Sequence, residues 1–174
     1  MVLVENNRKH TISVAKKEQF NTIYQQHHAK VFRLCKGYFN GEEETANDMV
    51  QEIFIKVWQH LDGFRNESTI STWIYRISVN CCLLHMRKPY VKKDIHLRHL
   101  PDVAQEEYNP VTEERLRKMY DCIGQLEEAG KLIILLVLEE VEYPEIAGVM
   151  GISEDTLRVR IHRIKKSLAN CVKL

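Results

Sequence analysis

A single stretch decides the fold that we expect for the C-terminal part of the chain: YPEIAGVMGISEDTLRVRIHRIKKSL, residues 143–168. Pro144 suits the first position of a short helix, where its missing N–H removes no hydrogen bond. Gly151 can adopt the positive φ of a tight turn, and Ser153 can cap the helix that follows. The pattern therefore predicts two helices joined by a turn, which is the helix-turn-helix arrangement found in many DNA-binding proteins.

The second helix of this unit has two distinct faces. Its apolar residues recur at helical spacing and predict a buried stripe; they are Leu157, Ile161, Ile164 and Leu168. A recognition helix needs polar and basic side chains on its other face, to contact bases and phosphates. The residues that we expect to contact DNA are Ser153, Thr156, Arg158, Arg160, His162, Arg163 and Lys166. A solvated basic surface is the alternative interpretation, but the order of short helix, glycine turn and capped basic helix favours DNA binding.

The bulk composition is that of a globular protein and hides this basic segment. Among 174 residues, 25 are Lys or Arg and 24 are Asp or Glu, so the net charge is only +1. No apolar run is long enough to span a membrane, and no signal-peptide pattern opens the chain. We therefore expect a cytoplasmic protein without membrane insertion.

Neither a disulfide framework nor a metal site is expected from the cysteines. There are five, with no CxxC pair, and an odd number in a cytoplasmic chain argues against structural disulfides. Cys81 and Cys82 are predicted to be small core residues. His27 and His28 precede Cys35 at a spacing that matches no compact zinc pattern. We expect no cofactor.

Helical periodicity dominates the chain and predicts an all-α fold made of two small helical domains joined by a flexible linker. Three helices are predicted for the first domain, at about Lys16–Phe39, Glu43–Leu61 and Ser71–Arg87. The predicted parts are a disordered N-terminus at 1–12, a first domain at 13–88, a linker at 89–112 and a second domain at 113–174.

The second predicted helix carries an unusual outer face. Its core face is predicted to contain Ala46, Val50, Ile53 and Val57. The opposite face combines Asp48, Gln51 and Glu52 with the apolar Ile55, and Trp58 lies nearby. An apolar residue beside a large aromatic one is typical of a docking surface for another protein. Single exposed apolar residues are also common on surfaces, so this pattern alone leaves both interpretations open.

The loop at 65–69 and the helix after it contain candidates for contacts with unpaired bases. Aromatic rings beside cations and amides can stack on bases and hold a nucleic-acid backbone. Trp73 fits core packing better, and the predicted stripe of the third helix also includes Ile77 and Leu84. The candidates for exposed contacts are Arg65, Asn66, Ser68, Tyr75, Arg76 and Asn80.

Taken together, these motifs resemble a known family. The segment ANDMVQEIFIKVW at 46–58 closely resembles the region 2 helix of bacterial sigma factors of the extracytoplasmic function (ECF) type. Phe64, TWIYRI at 72–77 and Asn80 are similar to the promoter-melting element that follows it. The YPEIA motif at 143–147 and the residues from Gly151 to Arg163 are similar to region 4. The match covers about residues 16–170, in the order found in that family.

The resemblance implies roles that the pattern alone does not. Asp48, Gln51, Glu52, Ile55 and Trp58 would bind the RNA polymerase core enzyme. The loop residues, with Tyr75, Arg76 and Asn80, would open and read the promoter −10 element as single-stranded DNA. The helix-turn-helix would read the −35 element in the major groove. An anti-sigma factor is the further partner that the resemblance implies, and an obligate homo-oligomer is not expected.

Two departures from the family pattern concern region 4. Glu127 and Lys131 stand where the family usually has proline and arginine, and Asp155 stands where glycine is common.

A dimeric helix-turn-helix repressor or activator is the main rival function, and it would bind palindromic sites on its own. A helical enzyme is the second rival, but no nucleophile–base set or phosphate loop supports it, so we expect no enzymatic activity.

Overall fold

Helices make up nearly all of residues 2–87 and 110–172, which are the residues that the computed structural model of the chain describes. They are α1 (Val2–Tyr38), α2 (Glu43–His60), α3 (Ile70–Arg87), α4 (Pro110–Gly124), α5 (Glu128–Leu138), α6 (Tyr143–Met150) and α7 (Glu154–Val172), with a 3₁₀ turn at Leu61–Gly63. These ranges contain no strand, and the all-α prediction is confirmed. Within them, no helix combines the length and apolarity that a membrane span requires.

The ends of α1 follow local sequence signals. Asn40 and Gly41 both adopt positive φ, 57° and 89°, and the Gly41 N–H donates to the Lys36 carbonyl at 2.7 Å, which ends α1. At its other end α1 begins at Val2, so the helix includes the residues at 2–12 that were predicted to be disordered. No proline interrupts the chain between Val2 and Tyr38, and nothing in the local sequence stops the helix earlier.

The helices α1, α2 and α3 pack their apolar faces together. Val31, Ile53 and Ile74 are fully buried, and the predicted core face of α2 is confirmed at all four positions. One member of the stripe predicted for α3 is wrong, since Leu84 is 47% exposed. The buried face of α3 is centred instead on Tyr75, Ser78 and Cys82, and at 100° per residue Leu84 points away from it.

A disulfide joins the first and last helices of the C-terminal half. Cys122 in α4 is bonded to Cys171 in α7, at a sequence separation of 49. The prediction that the cysteines form no disulfide is therefore wrong. Count and spacing carried no signal, because only the packing of α4 on α7 brings the two residues together. Cys81 and Cys82 are buried core residues, as predicted.

The two halves of the protein are packed against each other. Helix α5 approaches α1 so closely that a Cβ atom added at Gly37 would lie 2.2 Å from Leu135 Cδ2. Beside this contact, Arg33 donates two hydrogen bonds to the Glu139 carboxylate, at 2.8 and 2.7 Å. Helix α6 packs on α3. The buried residues of both halves consequently form one continuous apolar cluster. The predicted linker at 89–112 lies outside the described residues, except for its last three positions, which belong to α4.

The disulfide generates a prediction about stability. A cross-link that closes a loop of 49 residues stabilises the folded state by restricting the unfolded chain, by about 4 kcal/mol in the chain-entropy model. We expect dithiothreitol to lower the denaturant midpoint of the wild-type protein towards that of a Cys122→Ser/Cys171→Ser variant. The variant itself should not respond to the reductant. Equal midpoints for the oxidised wild-type protein and the variant would contradict this role.

Candidate nucleic-acid interface

The helix-turn-helix predicted from the sequence is present. Pro144 lies in the first turn of α6, and the helix ends at Gly151, whose φ of 67° is left-handed. The Ile152 N–H then donates to the Ala147 carbonyl at 3.1 Å, which fixes the turn before α7. The left-handed conformation of Gly151 sets the angle between the two helices. A residue with a Cβ atom would be strained at this φ.

The start of α7 is capped as predicted. The Thr156 N–H donates to Ser153 Oγ at 3.3 Å, and the hydroxyl oxygens of the two residues are 2.8 Å apart. Glu154 and Asp155 follow in the first turn, where the helix dipole favours negative charge. Ser153 and Thr156 are both exposed, so their hydroxyls remain accessible beside the cap.

The faces of α7 agree with the sequence prediction. Leu157, Ile161 and Ile164 are buried and Leu168 is half-buried. The exposed candidates are Thr156, Arg158, His162, Arg163 and Lys166, while Arg160 is half-buried. Arg158 is held in place on this surface, since it forms an ion pair with Glu154 and its guanidinium carbon lies 5.3 Å from the centre of the Tyr143 ring. The helix thus presents a continuous basic surface to solvent.

The outer face of α2 is a second exposed surface. Asp48 and Glu52 are exposed and Gln51 is half-buried. Ile55 and Trp58 are each 37% exposed and place two large apolar side chains on this surface. Trp58 is supported from behind by Phe20, at 5.2 Å between ring centres. A rigid apolar pair among carboxylates is typical of a protein-docking surface.

The loop before α3 brings together several of the candidates for single-stranded DNA. Arg65 and Asn66 are exposed, and Asn66 adopts a φ of 56°. Arg76 and Asn80 are exposed on α3, and Ser68 is half-buried. Trp73 packs against Phe64, at 5.1 Å between ring centres, in agreement with the core-packing interpretation of Trp73.

Tyr75 does not lie where the sequence predicts it. It was expected to be an exposed contact, but it is 3% exposed, and burial raises the pKa of its hydroxyl to about 12. The charged groups around it include Glu139, Arg33 and Glu145, two of which belong to the C-terminal half. Periodicity within α3 could not predict this burial, because Tyr75 lies near groups of the other half, Glu139 and Glu145. Arg76 is engaged by α6, since it donates to the Gly148 carbonyl at 3.3 Å.

Sequence reasoning also missed a polar cluster between the two halves. Glu145 at the start of α6 accepts hydrogen bonds from the hydroxyls of Thr69 and Thr72 at the start of α3, at 3.1 and 2.9 Å. The available signal was the spacing of Thr69 and Thr72, which is the same as that of the capping pair Ser153 and Thr156. Among the described residues, no group of three or more potential metal ligands is present.

A helix-turn-helix with a basic, capped second helix defines a DNA-binding transcription factor, and the comparisons with known proteins agree. Residues 23–89 match the family model for Sigma-70 region 2, and residues 116–168 match that for Sigma-70 region 4. The ECF RNA polymerase sigma-E factor of Haemophilus influenzae is 33% identical over 168 residues, covering 88% of this chain and 87% of that protein. That of Escherichia coli K12 is 30% identical, covering 98% and 93%.

Solved structures share the fold as well. The structure of CnrH in complex with the cytosolic domain of CnrY has a TM-score of 0.69 at 20% identity, covering 90% of this chain and 89% of that one. The sigma factor RpoE from Bartonella quintana, in complex with the anti-sigma factor NepR, has a TM-score of 0.71 at 19% identity, covering 90% and 98%. The chain belongs to the sigma-70 family, in its ECF group. It is therefore a transcription-initiation factor and not an enzyme.

Substitution of Ser153 tests whether the cap of α7 stabilises the protein. Ser153→Ala removes the acceptor of the Thr156 N–H and should lower the free energy of unfolding by about 1 kcal/mol. Ser167→Ala, at an exposed position within the same helix, is the matched control and should change it by less than about 0.5 kcal/mol. Chemical denaturation measures both. A Ser153→Ala variant as stable as the control would rule out a capping role.

Proposed function

We propose that each of the three surfaces binds a different part of the initiation machinery. The outer face of α2, with Asp48, Gln51, Glu52, Ile55 and Trp58, binds the RNA polymerase core enzyme. The loop before α3, with Arg65, Asn66, Ser68, Tyr75, Arg76 and Asn80, reads the −10 element as single strand. The α7 surface, with Ser153, Thr156, Arg158, Arg160, His162, Arg163 and Lys166, reads the −35 element. On this assignment region 2 spans 13–88 and region 4 spans 113–174.

The shape and charge of α7 support its assignment to duplex DNA. Its N-terminal turns carry exposed hydroxyls and Arg158, and its middle carries a row of exposed cations. An α-helix fits the major groove of B-form DNA, where arginine reads guanine and hydroxyls contact phosphates or bases. The ion pair between Glu154 and Arg158 holds the arginine on this surface.

The packed arrangement is incompatible with reading both elements at once. Elements centred near −10 and −35 lie roughly 85 Å apart along B-form DNA, at about 3.4 Å per base pair. Glu145 contacts Thr69, beside the loop assigned to the −10 element, at 3.1 Å. Thr156, on the surface assigned to the −35 element, follows Glu145 by 11 positions, which span at most about 40 Å even in an extended chain. The two regions must therefore separate on the promoter. A connecting chain of about 20 residues can extend to roughly 70 Å, so the two regions themselves have to cover only the remaining distance of about 15 Å.

This bipartite design predicts weak DNA binding by the free protein. Each small region contacts few phosphates, so neither alone binds tightly at physiological salt. Attachment of both to one polymerase raises the effective concentration of the second region once the first is bound. We further propose that the protein acts in the cytoplasm, and that an anti-sigma factor binds the same surfaces and keeps the protein from the polymerase.

In vitro transcription tests the proposal directly. Core enzyme supplemented with the full-length chain should produce transcripts with defined start sites from genomic fragments that core enzyme alone does not transcribe. Mapping the 5′ ends should then give upstream sequences that share two elements at constant spacing. Tight binding of the protein alone to palindromic sites, with no start sites on adding core enzyme, would instead indicate a dimeric repressor or activator.

Substitutions on α2 test the polymerase surface. The double variant Asp48→Ala/Ile55→Ala removes one carboxylate and one exposed apolar side chain, and we expect at least tenfold weaker binding to core enzyme, since hot-spot residues contribute about 2 kcal/mol or more. His60→Ala, exposed on the same helix but outside this face at 100° per residue, is the control and should bind as the wild-type protein does. Fluorescence anisotropy of labelled protein titrated with core enzyme measures this. Unchanged affinity of the double variant would reject this surface.

A further inference from the structure

Two helices of this protein begin with the same arrangement of hydroxyl groups. At the start of α7, Ser153 Oγ and Thr156 Oγ1 are 2.8 Å apart, and the Thr156 N–H donates to Ser153. At the start of α3, Thr69 Oγ1 and Thr72 Oγ1 are also 2.8 Å apart, and the Thr72 N–H donates to Thr69 at 3.1 Å. In each case a capping hydroxyl and a second hydroxyl three residues later lie together at the positive end of a helix dipole.

The pair on α3 already holds an anion. Both Thr69 and Thr72 donate to the same carboxylate oxygen of Glu145, at 3.1 and 2.9 Å. Thr72 is 6% exposed, so its hydrogen bond to Glu145 is partly shielded from water, which strengthens a hydrogen bond to a charged group. The carboxylate comes from α6, in the other half of the protein. The α3 pair is thus a built anion site whose present occupant is one of the protein's own side chains.

We propose that the hydroxyls of Thr69 and Thr72 bind a backbone phosphate of the −10 strand, and that Glu145 occupies this site while the two regions are packed together. A phosphate oxygen carries negative charge and accepts the same hydrogen bonds as the carboxylate oxygen that is bound there. The site lies between the exposed loop at 65–68 and Arg76, one helical turn beyond Thr72. The proposal rests on the assignment of this loop to the −10 element.

The consequence is competition between DNA and α6. Arg76, whose cation would support a bound phosphate, donates instead to the Gly148 carbonyl of α6, at 3.3 Å. Glu145 and Gly148 lie three residues apart on α6, so one helix occupies both groups. The −10 strand can reach them only after α6 has left α3, and the apparent affinity of the free protein falls in proportion to the fraction of molecules in the packed arrangement.

A methylphosphonate scan of the promoter locates the phosphate. Each linkage of the −10 strand is replaced in turn by a neutral methylphosphonate, and open-complex formation by holoenzyme containing the full-length chain is measured on a promoter mapped by transcription. With the wild-type chain, we expect the critical linkage to weaken the complex about tenfold. Thr72→Val should weaken the complex with unmodified DNA to a similar extent, and the methylphosphonate at that linkage should cause no further loss. Thr72→Ser, which keeps the hydroxyl, should behave as the wild-type chain.

The results separate this site from the proposed function. One outcome is that holoenzyme with Thr72→Val starts at the same nucleotides as wild type and loses as much complex as wild type at every methylphosphonate linkage. In that case the phosphate site is wrong and the sigma function stands. If wild-type holoenzyme makes no promoter-dependent start, both proposals are overturned. Equal weakening by Thr72→Val and Thr72→Ser also overturns the site, because the loss would then not depend on the hydroxyl.

A second measurement tests the competition in the free protein. A fluorescent single-stranded oligonucleotide with the mapped −10 sequence is titrated with the full-length chain. Glu145→Ala removes the competing carboxylate and should bind between about threefold and tenfold tighter than wild type. Glu142→Ala, an exposed carboxylate at the start of the same helix that makes no side-chain cap bond, should leave affinity unchanged. No gain for Glu145→Ala, or an equal gain for both variants, overturns the competition.

Discussion

The contact between α6 and α3 is the interaction on which the arrangement of this protein depends. It engages Arg76 and places Glu145 on the two threonine hydroxyls. The neighbouring contact of α5 with α1 adds the fit of Leu135 into the space left by Gly37 and the paired hydrogen bonds from Arg33 to Glu139. Both contacts join the same two halves and must form or break together.

The chemistry of this interface suits a contact that opens. Its polar interactions are hydrogen bonds and one ion pair, whose partners water can replace when the interface opens. The apolar faces of α2 and α7 are buried within their own halves, so each half keeps much of its own core when the two separate.

Signals that act within a few residues allowed most of the functional surfaces to be predicted from the sequence. Gly151, Ser153 and the stripe of Leu157, Ile161 and Ile164 defined the helix-turn-helix, and the exposure of Ile55 among carboxylates marked the outer face of α2. The errors share a different physical origin. Tyr75 is buried near Glu139 and Glu145 of the other half, and the bond between Cys122 and Cys171 depends on the packing of α4 on α7. Periodicity in one helix carries no information about such partners.

The relative position of the two halves, with and without polymerase, tests the central claim most directly. Spin labels would report this relative position as a distance measured by pulsed electron paramagnetic resonance. The labels would be attached to cysteines introduced at two exposed positions, Gln59 in α2 and Ser167 in α7. The native cysteines would not compete for the label, because they are either buried or disulfide-bonded. A single short distance is expected in the free protein, lengthening by tens of ångströms on binding core enzyme, since the two promoter elements lie roughly 85 Å apart. An unchanged distance, or a free protein already at the longer one, would contradict a reader that opens on the polymerase.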